Sequence, residues 1–299
     1  MSVSSNSSRI GFKGRLPLEN GMKVIWQAEQ EVRWDDGSEG NFADRNSYLG
    51  LASGAHSLRA GVYDTPFKTV ASKWGLFGDS VGERRAMLGA GYSDGNQLNQ
   101  RPNNTVMYQF QNDALKIQAM YAVDPENQSG AVDDNDTTMS GAGLWWKHNK
   151  LKLSAAYEDW KKHSKMDDGS ALRVAAVYGL GEHQLGAIYE DISSDTVDQW
   201  KRNAYGVNWK WKFTGHTDLR AQYIVVDDAE NSIDTGATKI GLGVFHKLDK
   251  KVEVYAAYGA TDNDAGAKFQ AVDGGHGDEV KTTFGGNPDS ASLGIVYKF

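Results

Sequence analysis

From residue 8 to the C-terminus, apolar and polar side chains alternate in runs of about ten residues, the period expected of strands whose two faces meet different surroundings. In 151–158, Leu151, Leu153, Ala155 and Tyr157 alternate with Lys152, Ser154, Ala156 and Glu158. In 202–213, Tyr205, Val207, Trp209, Trp211 and Phe213 face away from Arg202, Asn208, Lys210 and Lys212. The same form recurs at 172–180, 185–190, 219–225, 240–244 and 252–258, and less cleanly at 8–14, 22–29, 45–52, 57–63, 105–111, 115–122 and 139–147. With 291–299 this predicts an all-β chain of roughly fifteen strands.

The connections are sorted by length. Tight polar turns such as Leu18-Glu19-Asn20-Gly21, Asn112-Asp113 and Gly181-Glu182-His183 alternate with long segments rich in Asp, Asn, Gly and Ser: 30–44, 64–104, 124–137, 160–170, 191–200, 227–237 and 261–290. Short turns on one rim and long loops on the other characterise a transmembrane antiparallel β-barrel. Trp26, Tyr121, Trp146, Tyr157, Tyr178, Tyr189, Tyr223 and Tyr258 fall on the apolar faces near loops, as side chains at a membrane–water boundary do.

Composition removes the competing classes. Mean hydropathy is -0.56, and no apolar stretch is long enough for a membrane-spanning helix. In a barrel half of every strand is polar, so a low average is expected. The chain contains no cysteine, which excludes disulfide frameworks and thiolate metal sites. A net charge of -7 argues against nucleic acid as a partner. The histidines have no metal-ligand spacing and no phosphate-binding glycine loop is present, so no cofactor is expected.

The C-terminus is specific. Ala291, Leu293, Ile295, Tyr297 and Phe299 alternate with Ser292, Gly294, Val296 and Lys298, and the chain stops on the aromatic. Ser8-Arg9-Ile10-Gly11-Phe12-Lys13-Gly14, the turn Leu18–Gly21 and Lys23-Val24-Ile25-Trp26-Gln27-Ala28-Glu29 resemble the second and third strands of the general diffusion porins of Gram-negative bacteria. The run from Asn41 to Leu51 resembles their fourth strand, and Asp64-Thr65-Pro66-Phe67-Lys68 with Leu76-Phe77-Gly78-Asp79 their long third loop.

The resemblance implies a 16-stranded outer-membrane barrel, usually a homotrimer, so that this chain is expected to form about 15–16 strands in one domain over 1–299, with a third loop (here 64–104) that folds into the lumen and narrows it. It implies passive diffusion of small hydrophilic solutes and ions, with the lipid bilayer and lipopolysaccharide as surroundings and no enzymatic step. Carried over residue by residue, the basic wall of the constriction would use Arg9 and Arg101, joined by Lys13 and Lys23 on the polar face; on the loop Asp79 remains as an acid, with Glu83 and Asp64 nearby. Three departures stand out. Val62 occupies a position where the family has an arginine, and Leu76 one where it commonly has a carboxylate. The family's first strand has no counterpart before residue 8, and no signal-peptide pattern opens the chain, which points to a truncated sequence or an atypical closure.

One rival constellation carries chemistry. Gly78-Asp79-Ser80, with Asp273 and His276, has the elements of a Gly-Asp-Ser hydrolase: Ser80 as nucleophile, His276 as base and Asp273 as its orienter. The block does not follow an apolar strand, as such nucleophiles do. The acidic run Asp133-Asp134-Asn135-Asp136 lacks full calcium-loop spacing.

Overall fold

The computed structural model describes residues 2–35, 42–92, 95–96, 98–126, 137–272, 280 and 282–299. Seventeen strands are present among them: β1 (Arg9–Pro17), β2 (Lys23–Glu31), β3 (Ser47–Ser53), β4 (His56–Val62), β5 (Ala90–Gly91), β6 (Gly95–Asn96), β7 (Thr105–Gln111), β8 (Leu115–Val123), β9 (Thr138–His148), β10 (Leu151–His163), β11 (Asp167–Leu180), β12 (His183–Ser194), β13 (Arg202–Lys212), β14 (Thr217–Val226), β15 (Ala237–Lys247), β16 (Val252–Asn263) and β17 (Asp289–Tyr297). Apart from the small β5–β6 hairpin, all of them form one 15-stranded antiparallel sheet in which each strand pairs with the next in sequence. No described helix is long and apolar enough to cross a membrane.

The sheet is oily on the outside. On β11, Leu172, Val174 and Tyr178 are 37%, 40% and 46% exposed, whereas Arg173, on the alternate face, is 0% exposed. A water-soluble fold would invert that order. The register keeps the faces continuous: Arg173 pairs with Ala156 on β10 and Glu190 on β12, and Glu190 with Ala204 on β13, all on the inner face. The outward aromatics Trp26, Tyr121, Tyr157, Tyr178, Tyr189, Tyr223 and Tyr258 are all exposed, as a boundary girdle requires. The sheet curls far enough that Asn6, just ahead of β1, hydrogen-bonds Tyr255 on β16. With an odd number of strands, β1 and β17 run parallel, and the hydrogen-bonded order does not join them.

Several strands outrun the alternation that predicts them. The connection expected at 160–170 shrinks to 164–166, because β10 and β11 continue pairing through Asp159↔Ser170 and Trp160↔Gly169 before a bulge near His163. Beyond the bilayer both faces can be polar, so the periodic signal ends while the backbone ladder continues. A short helix is a further departure from the expected all-strand pattern. α1 (Pro66–Val70) begins where Thr65 Oγ1 accepts the Lys68 N–H at 3.0 Å and Pro66 opens the first turn.

Candidate functional site

The segment between β4 and β7 leaves the wall and lies against the inner face of the sheet. Phe67 and Val70 join a buried cluster with Met107, Met120, Met139 and Trp160, while Trp74, Met87 and Leu88 join another with Ala175, Val177, Ile188 and Ile224. Phe77 meets the Phe245 ring edge-on at 5.9 Å. The wall is cut away to receive it. A Cβ at Gly186 would lie 2.9 Å from the Trp74 ring and one at Gly206 3.1 Å from it, so only glycine admits the indole at this depth.

Wall side chains then satisfy the segment's backbone in order. Arg173 Nη1 donates to Phe67 O (2.9 Å) and Ser154 Oγ to Val70 O (2.9 Å). Asn208 donates to Trp74 O, Arg220 to Leu76 O (3.0 Å), Gln222 to Gly82 O, and Arg202 to Met87 O (3.1 Å). Glu190 accepts the Gly89 N–H at 2.8 Å and also pairs with Arg173 and Arg202. A buried carboxylate between two guanidiniums is tolerable because each charge is paired and hydrogen-bonded.

The loop acids have unequal roles. Glu83 is 1% exposed and binds Arg84 (2.9 Å) and Arg85 (3.2 Å). Burial pushes its carboxyl up, but Arg85 and Arg84 more than offset this and hold it at about 2. Asp64 is similar: burial raises it, and Lys68 (2.8 Å) and Arg101 (3.1 Å) bring it down to about 2. Asp79 is the half-exposed one, its side chain 37% accessible and 3.2 Å from Arg85. Burial and the neighbouring Glu83 raise its carboxyl above the usual range.

The basic positions also divide. Arg9 is exposed on the inner face of β1, 4.0 Å from Glu29 and within electrostatic reach of Asp79. Lys13 and Lys23 are exposed and, with Arg15 and Tyr48, line a cavity of about 470 Å³. Arg101 is instead drawn into the loop's base, bonded to Asp64 and to Asn46 Oδ1 (3.0 Å). Sequence reading missed Arg15, Arg59 and Lys116 on the same inner face. Arg59 lies between the rings of Tyr48 and Tyr63 at 4.9 and 4.8 Å, and Lys116 Nζ is 3.4 Å from the Trp145 ring centre. Their signal was present, since each occupies a polar-face position of its alternating strand, as with Arg59 between Leu58 and Ala60.

The hydrolase constellation gains nothing. Ser80 is buried and its hydroxyl donates to Phe77 O at 2.9 Å, closing a loop turn. Asp273 and His276 lie outside the described residues, as does the acidic run 133–136. Among the described residues no group of three or more His, Cys, Asp or Glu side chains is placed to hold a metal.

An apolar outer belt, a polar inner face and an inward-folded loop define an outer-membrane β-barrel channel. Residues 1–266 match the model of the Gram-negative porins, and the chain belongs to that family. It is 25% identical over 262 residues to outer membrane porin protein 32 of Delftia acidovorans, an alignment covering 84% of this chain and 73% of that protein. A shorter stretch of 59 residues is 42% identical to the major outer membrane protein P.IA of Neisseria meningitidis, covering 20% of this chain and 15% of that one. In fold it resembles the anion-selective porin from Comamonas acidovorans (TM-score 0.81, 22% identity, 99% of this chain and 91% of that one) and OmpT of Vibrio cholerae (TM-score 0.69, 18% identity, 98% and 89%). The protein is thus an outer-membrane diffusion channel, and its family and relatives point to a channel rather than to an enzyme.

Proposed function

We propose that the protein forms a water-filled pore through which small anions pass in preference to cations, and that residues 64–104 narrow it without any chemical step. The observation that carries this reading is the asymmetry of free charge around the lumen. Lys13, Arg15 and Lys23 are exposed on the wall, whereas of the three loop acids Glu83 and Asp64 are each neutralised by two cations and Asp79 alone presents a half-exposed carboxylate. A lumen lined by unpaired positive charge concentrates anions and repels cations. The Comamonas acidovorans relative is an anion-selective porin, which is consistent with this sign.

In this reading Arg9, Lys13 and Lys23 form the basic wall with Arg15 and Arg59, Asp79 is the opposing loop acid, and Arg101, Asp64 and Glu83 position the loop. A homotrimer in the bilayer is the assembly we infer, supported by the trimer form of the Vibrio cholerae relative. The test is the reversal potential of single channels in a potassium chloride gradient, repeated for Arg9→Ala and Arg101→Ala. Arg9→Ala should move the potential toward cation preference and Arg101→Ala much less. A cation-preferring native channel would sink the proposal.

A further inference from the structure

The connection after β16 holds a second inward-folded element. Residues 264–272 turn back over the third-loop segment, burying alternate side chains: Ala267, Phe269 and Ala271 are enclosed, with Val272 beside them. Ala267 and Phe269 belong to the same buried cluster as Trp74, Met87, Leu88 and Ala90. Ala271 and Val272 belong to the one containing Leu76, Phe77 and Val81. The stretch therefore touches the constriction segment at both its middle and its tip.

Polar contacts fix its position. The Lys268 N–H donates to Tyr92 O at 2.8 Å, joining the backbones of the two inward segments. Asn263, at the end of β16, exchanges two bonds with Phe269, its Nδ2 donating to Phe269 O (2.9 Å) and its Oδ1 accepting the Phe269 N–H (2.7 Å). Thr261 Oγ1 donates to Gln270 O (3.0 Å), and the buried ammonium of Lys239 on β15 donates to Ala271 O. Arg202, which donates to Met87 O and Ala90 O in the loop tip, has its guanidinium 5.8 Å from the Phe269 ring. One wall arginine thus serves both segments.

A lysine buried on an inner wall is unfavourable unless fixed acceptors replace its water. Among the described residues, Thr261 on β16 and Ala271 in this stretch both accept from Lys239, so the folded-in stretch helps to accommodate its charge. We propose that 264–272 is a clasp that holds the loop tip Met87–Tyr92 against β12–β16 and thereby sets the open size of the channel. Phe269 is its packing anchor and Lys239 its polar anchor. This rests on the reading of 64–104 as the constriction.

The absence of cysteine allows a direct test. Phe269→Ser and, separately, the pair Tyr92→Cys with Lys268→Cys are refolded in detergent, checked for the native mobility shift on heating, and recorded as single channels. Phe269→Ser should raise open-channel current noise about twofold and increase mean conductance, since a freed loop tip samples wider positions. The cysteine pair should oxidise readily and, added to Phe269→Ser, return noise and conductance to native values. A folded Phe269→Ser with native conductance and noise overturns the clasp. If that variant does not fold, failure of the cysteine pair to cross-link in otherwise native channels overturns it instead. Native protein that gives no conductance steps at all would contradict the pore reading, a result distinct from either.

Discussion

The two halves of the barrel share an outside and differ within. Strands β9–β16 are 10–14 residues long, and their inner faces of Ala, Gly and buried polar side chains are covered by the third-loop segment and by 264–272. Strands β1–β4 and β7 have 7–9 residues, and Lys13, Arg15 and Lys23 on β1 and β2 stay in the open. Outward residues look alike in both halves because the bilayer is the same on all sides. Inward residues differ because one half is a docking surface for loops and the other is a channel wall.

The largest effect should follow from breaking the docked half. Glu190→Ala leaves Arg173 and Arg202 facing each other in a dry site, with the Gly89 N–H unpartnered. Uncompensated buried charge of this kind costs about 3–5 kcal/mol, so a large fall in the thermal unfolding midpoint in detergent is expected. The open half should resist the corresponding change: Lys23→Ala should leave stability within about 0.5 kcal/mol of native.

Acid should come next. Glu83 and Asp64 are held at about 2, below the ordinary carboxylate range. A carboxyl depressed in the folded state contributes stability that is complete above its unfolded value of about 4 and is lost as pH falls toward 2. Midpoints measured from pH 6 to pH 2 should therefore drop mainly below pH 4. The drop should shrink in Glu83→Gln, which has no proton left to take up there.

A smaller loss, about 1–3 kcal/mol, is expected for Gly206→Val, because the added side chain must displace the Trp74 indole. Tryptophan fluorescence of the refolded protein should report the altered environment. The smallest effect on stability, and the clearest on transport, belongs to Arg59. In Arg59→Gln the tyrosine sandwich keeps most of its packing while the lumen loses a charge, so the chloride preference should fall about twofold with little change in midpoint.

The same contrast explains what could be read in advance. The strands were legible because the lipid face demands an apolar residue at every second position, as in Leu172, Val174, Ala176 and Tyr178. From its own residues the docked loop was legible as a long connection carrying Phe67, Trp74, Phe77 and Leu88, and its inward fold only through the family resemblance. Its partners were not, because Asn208, Gln222 and Arg173 look like any polar inner-face residues until the fold brings them to carbonyls more than a hundred residues away. Arg101 was expected on the constriction wall and Glu83 among the loop acids, and in the fold each is paired with a neighbouring opposite charge. Spacing along a strand shows which face a charge occupies, not what answers it. The stretch 264–272 was hidden for a further reason: Phe269 and Val272 are its only large apolar residues, within a loop rich in Gly and Asp.

The difference between the halves is tested most directly by single-channel recording of the native protein in planar bilayers under a tenfold potassium chloride gradient. Stepwise, ohmic openings and a reversal potential on the chloride side of zero are expected. Openings that reverse on the potassium side would contradict this, because the exposed lysines and arginines of β1 and β2 would then not face the permeating ions.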